Sequence, residues 1–224
     1  MAAPVDLIVL AGGRGSRLDG ALKPAVEVAG RTLLSRVLDA RGFARRIVVV
    51  GPDSARSAAG RDGNVEAPDL LWALEDPPFG GPAAGLVAGL AALEHQAGAQ
   101  PDAGWVLLLA CDLPWAADAA GLLVPAATDP GLPATVHGLH LVDGEGRAQW
   151  LAGIYRTKPL RDAADRLGPD ARGASMRDLL APLSLRGLRD DAGAGSDVDT
   201  WQDVERSTTL LDDARTDPSR SDTE

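Results

Sequence analysis

Apolar residues along the 224-residue chain fall into short runs separated by stretches of helical spacing. Nearly unbroken runs at 5–11, 46–51 and 105–111 predict strands covered on both faces, because a half-exposed strand would alternate. More mixed runs at 70–74, 134–142 and 149–155 complete six strand candidates, with 134–142 the weakest pattern. Between them, 32–41, 82–95 and 116–127 read as helices, and Pro82 suits a first-turn position. This alternation predicts an α/β fold: a three-layer α/β/α sandwich around a mostly parallel, Rossmann-like mixed sheet with right-handed crossovers.

The length fits a single domain, which the pattern places at 1–213 and closes with a short helix from Trp201 to about Asp213. Residues 214–224 hold no large apolar side chain and read as a disordered acidic tail; from Asp212 onward five acids face two arginines. No internal repeat or Gly/Ser/Pro-rich linker divides the domain.

Charge and cysteine content narrow the function classes. A formal charge of -10 opposes broad attraction to nucleic-acid phosphates or anionic lipid, so neither a nucleic acid nor a membrane is an expected partner. One cysteine, Cys111, and the lack of a leader-like or long apolar segment make a reducing cytoplasm the expected location. Of 22 basic residues only Lys23 and Lys158 are lysine. In a chain that otherwise writes positive charge as arginine, Lys23 suggests a need for a compact ammonium where a planar fork would not serve.

Lys23 follows the chain's least ordinary stretch, VLAGGRGSRLDGALKP. It lies at the carboxyl end of the first predicted strand, where open α/β sheets collect ligands. Its glycines let backbone N–H groups turn toward an anion, and Arg14, Arg17 and Lys23 can neutralise a polyphosphate. The register fails as a dinucleotide fingerprint, since Leu18 stands where the third small residue belongs. It fails as a P-loop too, since Ala21 follows Gly20.

Acidic residues recur at other strand ends. Asp112 terminates WVLLLACD and suits either a magnesium ligand or a cap for the following helix. Asp197 and Asp199 flank Val198 and would share one side of an extended segment; Asp199 or Thr200 could equally cap the last helix. Asp76, with Glu75 beside it, precedes Gly81-Pro82-x-x-Gly85, where the glycines permit close backbone approach and Pro82 can start a helix. His95, His137 and His140 form no zinc spacing, Cys111 reads as a small core residue, and Trp115 and Trp150 suit core packing or the wall of a flat ligand.

LAGGRGSRL followed by LKPAVEVAGRTLLSRVL resembles the nucleotidyltransferase superfamily, and within it the molybdenum cofactor guanylyltransferase family. EDPPFGGPAAGLVAGL, ACDLPW and SDVDTWQDV resemble that family's later segments in the same order, so the likeness spans residues 5–205. It implies Mg²⁺-dependent transfer of GMP from GTP to the phosphate of molybdopterin or the molybdenum cofactor, with release of pyrophosphate. Arg17, Lys23 and Asp112 would be catalytic. Leu10, Ala11, Gly12, Gly13, Arg14, Gly15, Lys23, Asp76, Gly81, Pro82 and Asp112 would bind nucleotide, and Asp112, Asp199 and Asp197 would hold the metal. Cofactor-delivery or molybdoenzyme chaperone proteins are the implied protein partners. The alternatives are transfer from CTP, a sugar- or alcohol-phosphate acceptor, or a weakly catalytic regulatory relative. The family commonly has Asp immediately before the lysine where this chain has Leu22, with Asp19 the nearest upstream acid.

Overall fold

A computed structural model describes residues 4–12, 18–59, 70–97 and 103–216. Its centre is a seven-stranded sheet ordered β5-β4-β1-β6-β8-β7-β9: β1 is Val5–Leu10, β4 Arg46–Val50, β5 Leu70–Ala73, β6 Trp105–Ala110, β7 Gly138–Val142, β8 Ala148–Arg156 and β9 Leu185–Arg189. All neighbours are parallel except β8, which runs against both β6 and β7. The expected three-layer, mixed sheet is therefore the observed one. A separate two-stranded ribbon, β2 (Glu27–Val28) and β3 (Arg31–Thr32), was not anticipated.

Every residue of β1 and β6 is buried, as their unbroken apolar runs require. On one face, α1 (Leu33–Val37), the 3-10 turns that follow it and α3 (Ala116–Thr128) pack over Leu7, Val9, Leu107 and Leu109. On the other, α2 (Pro82–Ala97), α4 (Thr157–Leu167) and α5 (Met176–Leu180) cover Ile8, Leu10, Val106 and Leu108. The glycines of α2 explain its close seat on the sheet, because a Cβ at Gly89 would stand 2.8 Å from Ile8 Cγ2. A third, smaller core gathers Leu18, Val26, Val28, Leu33 and Val198, with Val204 and Leu211 of α6 (Trp201–Thr216) against it. The last helix thus braces the chain that leaves the glycine-rich loop.

Sequence and structure differ at several edges. The helix expected at 32–41 is α1 continued by a 3-10 segment, Leu38–Phe43. Helix α6 runs three residues past the expected end at 213, and the remainder of the tail, 217–224, lies outside the described residues. The weak pattern at 134–142 becomes strand only from Gly138.

Register is what builds a site. Leu10 pairs with Val50 on one side and Ala110 on the other, and Val50 pairs with Ala73, so four parallel strands end level. The chain continues that alignment for one residue: Ala11 N–H donates to Val50 O at 2.7 Å and Cys111 N–H to Leu10 O at 3.0 Å. Everything after these bonds opens onto one edge.

Candidate active site

Above that edge lies a cleft of about 700 Å³ lined by Leu10, Gly12, Val50, Gly51, Glu75, Phe79, Gly81, Pro82, Gly85, Asp112 and Leu151, among others. Gly51 is small by necessity, since a Cβ would meet Ala11 O at 2.9 Å. Gly81 has φ +95°, a region L side chains rarely enter, and its carbonyl accepts from Gly85 N–H at 3.0 Å as α2 begins.

At the mouth of β6, Lys23 Nζ donates to Asp112 Oδ2 and to Asp199 Oδ1, each at 2.6 Å. Three chain regions, separated by 89 and 176 residues from Lys23, converge on one ammonium. The lysine side chain is only 13% exposed and Asp112 17%, so both charges are partly desolvated, whereas Asp199 is 37% exposed. Burial alone would lower the lysine's pKa; the charge and hydrogen bond of Asp112, then those of Asp199, outweigh it and hold the ammonium protonated well above the usual range. Asp197 joins them: one oxygen from each of Asp112, Asp197 and Asp199 lies within 4.8 Å of the others. Desolvation pushes the Asp197 carboxyl up, and the negative charges of Asp112 and Asp199 add to the shift.

The rival structural roles of these acids are taken by other residues. Helix α3 starts at Ala116 with no side-chain cap, so Asp112 is not its cap. Thr200 caps α6: Asp203 N–H donates to Thr200 Oγ1 at 3.2 Å, while Asp203 Oδ2 accepts from Thr200 N–H at 2.9 Å. The carboxylate of Asp199 is left to face Lys23. Residues 197–199 form no strand, yet the expected alternation holds, because Val198 is buried in the third core and its N–H donates to Asp112 O at 3.0 Å.

Could these acids hold a cation? Asp112 Oδ1 is buried and has no hydrogen-bond partner among the described residues, which leaves an anionic oxygen pointing into protein unsatisfied. A hard divalent ion is bound through one or two carboxylates plus phosphate oxygens, and this donor set fits one.

Other expected residues divide. Leu10, Gly12, Gly81 and Pro82 line the cleft. Ala11 does not: its side chain is 1% exposed and its N–H is committed to Val50. Asp76 is exposed and does not line the cleft, whereas Glu75 does, its Oε1 accepting from Phe79 N–H at 2.9 Å. The alternation of side chains past β5 sends the first acid inward and the second out. Gly13, Arg14, Gly15 and Arg17 lie outside the described residues. Leu22 raises the question of what orients Lys23. Asp19 accepts from Trp201 Nε1 at 2.9 Å, so it clasps α6, and the lysine is oriented by Asp112 and Asp199 instead. Cys111 is buried, which pushes its thiol up and away from reactivity. Trp150 packs on the α2/α4/α5 side under Arg177, outside the cleft wall. Phe79 and Leu151 were missed; the only signal for Phe79 was its place before Gly80-Gly81-Pro82.

Residues 7–187 match the MobA-like NTP transferase domain. The chain belongs to that family. It is 34% identical over 113 residues to a molybdenum cofactor guanylyltransferase of Pseudomonas putida, which is 50% of this chain and 51% of that protein. A second molybdenum cofactor guanylyltransferase, from Rhodopseudomonas palustris, is 38% identical over 110 residues, 48% of each chain. The chain thus spans about half the length of the curated relatives it matches. The fold is shared with a 4-diphosphocytidyl-2C-methyl-D-erythritol synthase from Anaerococcus prevotii, with TM-score 0.64, 14% identity and coverage of 94% and 96% of the two chains. Rv0371c of Mycobacterium tuberculosis has TM-score 0.62, 22% identity and coverage of 92% and 98%. No helix among the described residues of the NTP transferase domain is long and apolar enough to cross a membrane.

Proposed function

We propose that the chain transfers GMP from GTP to the phosphate of molybdopterin or the molybdenum cofactor, in a reducing cytoplasm. An acceptor phosphate oxygen forms a bond to the α-phosphorus of GTP as the bond from that phosphorus to the bridging oxygen breaks, and pyrophosphate leaves with the electron pair. The observation that carries the reading is the convergence of Lys23 and Asp199 on Asp112, which lines a glycine-walled cleft of the family domain matched over residues 7–187. The guanylyltransferase name of the curated relatives is the reason for choosing GTP and a molybdopterin acceptor.

The acceptor phosphate is already a nucleophile, so positioning and charge neutralisation carry the rate. Asp112 and Asp199, with Asp197 beside them, would hold Mg²⁺, which when bound supplies charge neutralisation to phosphate oxygens. Lys23 and Arg17 would stabilise the charge that grows on pyrophosphate. Backbone at Leu10 and Gly12 and the turn at Gly81 and Pro82 would border the nucleoside, with Glu75 as the cleft-wall carboxylate. Cofactor-delivery or molybdoenzyme chaperone proteins would receive the product.

A nucleotide panel with Mg²⁺ tests this by pyrophosphate release, with molybdopterin present or absent. Release with GTP that requires molybdopterin is expected. Preference for CTP, or release with a sugar phosphate instead, overturns the assignment.

A further inference from the structure

Asp197 and Asp199 reach the site only after the chain has recrossed the sheet. Strand β9 lies at the sheet's edge, three strand positions from β6, so the chain travels roughly 14 Å along the carboxyl edge before the two acids meet Asp112. We propose that Asp190, buried where this crossing begins, is a positioning residue that aims Asp197 and Asp199 at Lys23 and Asp112. The inference rests on the cation-dependent reading above, and the bonding along the crossing supports it.

Asp190 directly follows β9, and its N–H donates to Val142 O at 3.0 Å, so its backbone is anchored to the end of β7. Its side chain grips the chain ahead: Oδ1 accepts from Ala194 N–H at 2.9 Å and Oδ2 from Gly195 N–H at 2.7 Å. Asp190 is 5% exposed and both donors are buried, so without the carboxylate two buried N–H groups would lose their acceptors. A turn over Gly193, with φ +75°, is closed by Ser196 N–H donating to Gly193 O at 3.1 Å. Gly195 lies against β7 and β8, since a Cβ there would stand 3.1 Å from Leu141 Cδ1 and 3.5 Å from Ala152 Cβ. Three residues on, Val198 N–H donates to Asp112 O at 3.0 Å. The crossing is thus held two residues before Asp197 and again between the two acids. Asp191, next to Asp190, is exposed and pairs with Arg189 instead. Acids carried on a loop depend on such support, because partners that hold a ligand residue in place commonly set affinity or rate by about 10–100-fold.

Lys23, whose ammonium bonds Asp112 and Asp199, reports where the acids sit. The chain has two lysines, so protein carrying isotope-labelled lysine gives two ammonium signals by NMR, and Lys158→Arg assigns them. In Asp190→Ala, without metal or nucleotide, the Lys23 signal should shift and its proton exchange should quicken, while the Lys158 signal stays. Asp191→Ala should leave both signals in place. Turnover of Asp190→Ala should fall by about 10–100-fold with KM for GTP within about threefold of the unaltered chain, because Asp190 acts on the acids and does not line the cleft. Asp190→Asn, which keeps one acceptor oxygen, should lie between the two. A folded Asp190→Ala with the unaltered Lys23 signal, or with a lower melting temperature as its only change, overturns the proposal. Asp190→Asn carries the same test if Asp190→Ala fails to fold. The Lys23 signal involves no substrate, so a wrong nucleotide or acceptor leaves that result intact.

Discussion

Two aspartates at opposite ends of the same pair of central strands differ in how fully their carboxylates are engaged, and the proposed chemistry lies with the less engaged one. Asp6, in β1, is 2% exposed and fully engaged: Oδ1 accepts from Arg45 Nε at 3.0 Å and Arg46 Nε at 3.2 Å, and Oδ2 accepts from Arg46 Nη2. Asp112, past the end of β6, shares one lysine with Asp199 and keeps a buried oxygen without a partner among the described residues. At the amino edge two arginines surround one acid; at the carboxyl edge, among the described residues, Lys23 bridges two acids with a third carboxylate close by. A satisfied buried charge has nothing left to offer a ligand. A buried oxygen without a partner can still take one, which is what the proposed cation site would use.

The sharpest way to break this contrast is to neutralise each acid. Asp112→Asn should lower turnover by about 10³-fold, or about 4 kcal/mol in transition-state terms, while the melting temperature changes by no more than about 3 °C. Pyrophosphate release and calorimetric melting of the same preparation check both halves. Turnover within tenfold of the unaltered chain would remove Asp112 from the reaction.

Asp6→Ala should do the opposite. It removes the buried acceptor shared by Arg45 and Arg46, which themselves reach solvent, and should cost about 2 kcal/mol of folding free energy, which lowers the melting temperature by roughly 4–8 °C in a domain of this size. Turnover per folded molecule should be unchanged, because Asp6 lies at the far end of β1 from the cleft. Urea titration and a folded-fraction assay decide it.

How much of this contrast was legible beforehand follows from its causes. The unbroken runs of β1 and β6 announced a doubly covered sheet, since burial on both faces writes directly into composition. The carboxyl-edge acids could be picked out because each ends an apolar run or follows a motif. What could not be read was pairing across long sequence separations. The Asp6 cluster links residues 39 and 40 positions apart, and Lys23 meets acids 89 and 176 away. The Glu75/Asp76 choice needed the path of the chain after β5, because a one-residue slip past a strand exchanges the two faces. Helix α4 was overlooked because its apolar positions are few and its first turn contains Pro159, although Leu160, Ala163 and Ala164 form a buried stripe. Edge strand β9, LRGLR, has too little apolar character to stand out.

The Thr200 cap sharpens the comparison by separating support from chemistry within the site. Thr200 and Asp203 satisfy the start of α6 and so keep Asp199 free of capping duty. Thr200→Ala should cost about 1 kcal/mol, visible as a fall of roughly 2–4 °C in melting temperature. Turnover should fall only severalfold, through looser placement of Asp199. A loss as large as that of Asp112→Asn would mean that Thr200 touches substrate.

The smallest expected effect tests full satisfaction at a turn, away from the cleft. Asp143, half-buried at the start of the β7–β8 turn with its partner Arg147 in solvent, resembles Asp6 in bonding and differs from Asp112 in that respect. Its Oδ1 accepts from Glu145 N–H at 3.0 Å and Arg147 N–H at 2.9 Å, and its Oδ2 from Arg147 Nε at 2.8 Å and Gln149 Nε2 at 3.0 Å. The Arg147 N–H and then its guanidinium hold the Asp143 carboxyl down at about 2, against an ordinary 3.8. A depressed carboxyl stabilises the fold fully above the unfolded value, and that contribution is lost as pH falls through the folded one. Protection factors of the Glu145 and Arg147 amides should therefore hold near pH 5 and decline between about pH 4 and pH 2, with the rest of the sheet unaffected. In Asp143→Ala they should be low at every pH. If the decline appears instead near pH 5, or spreads through β1 and β6, the turn is not stabilised by its own acid and full satisfaction at this turn has no measurable worth.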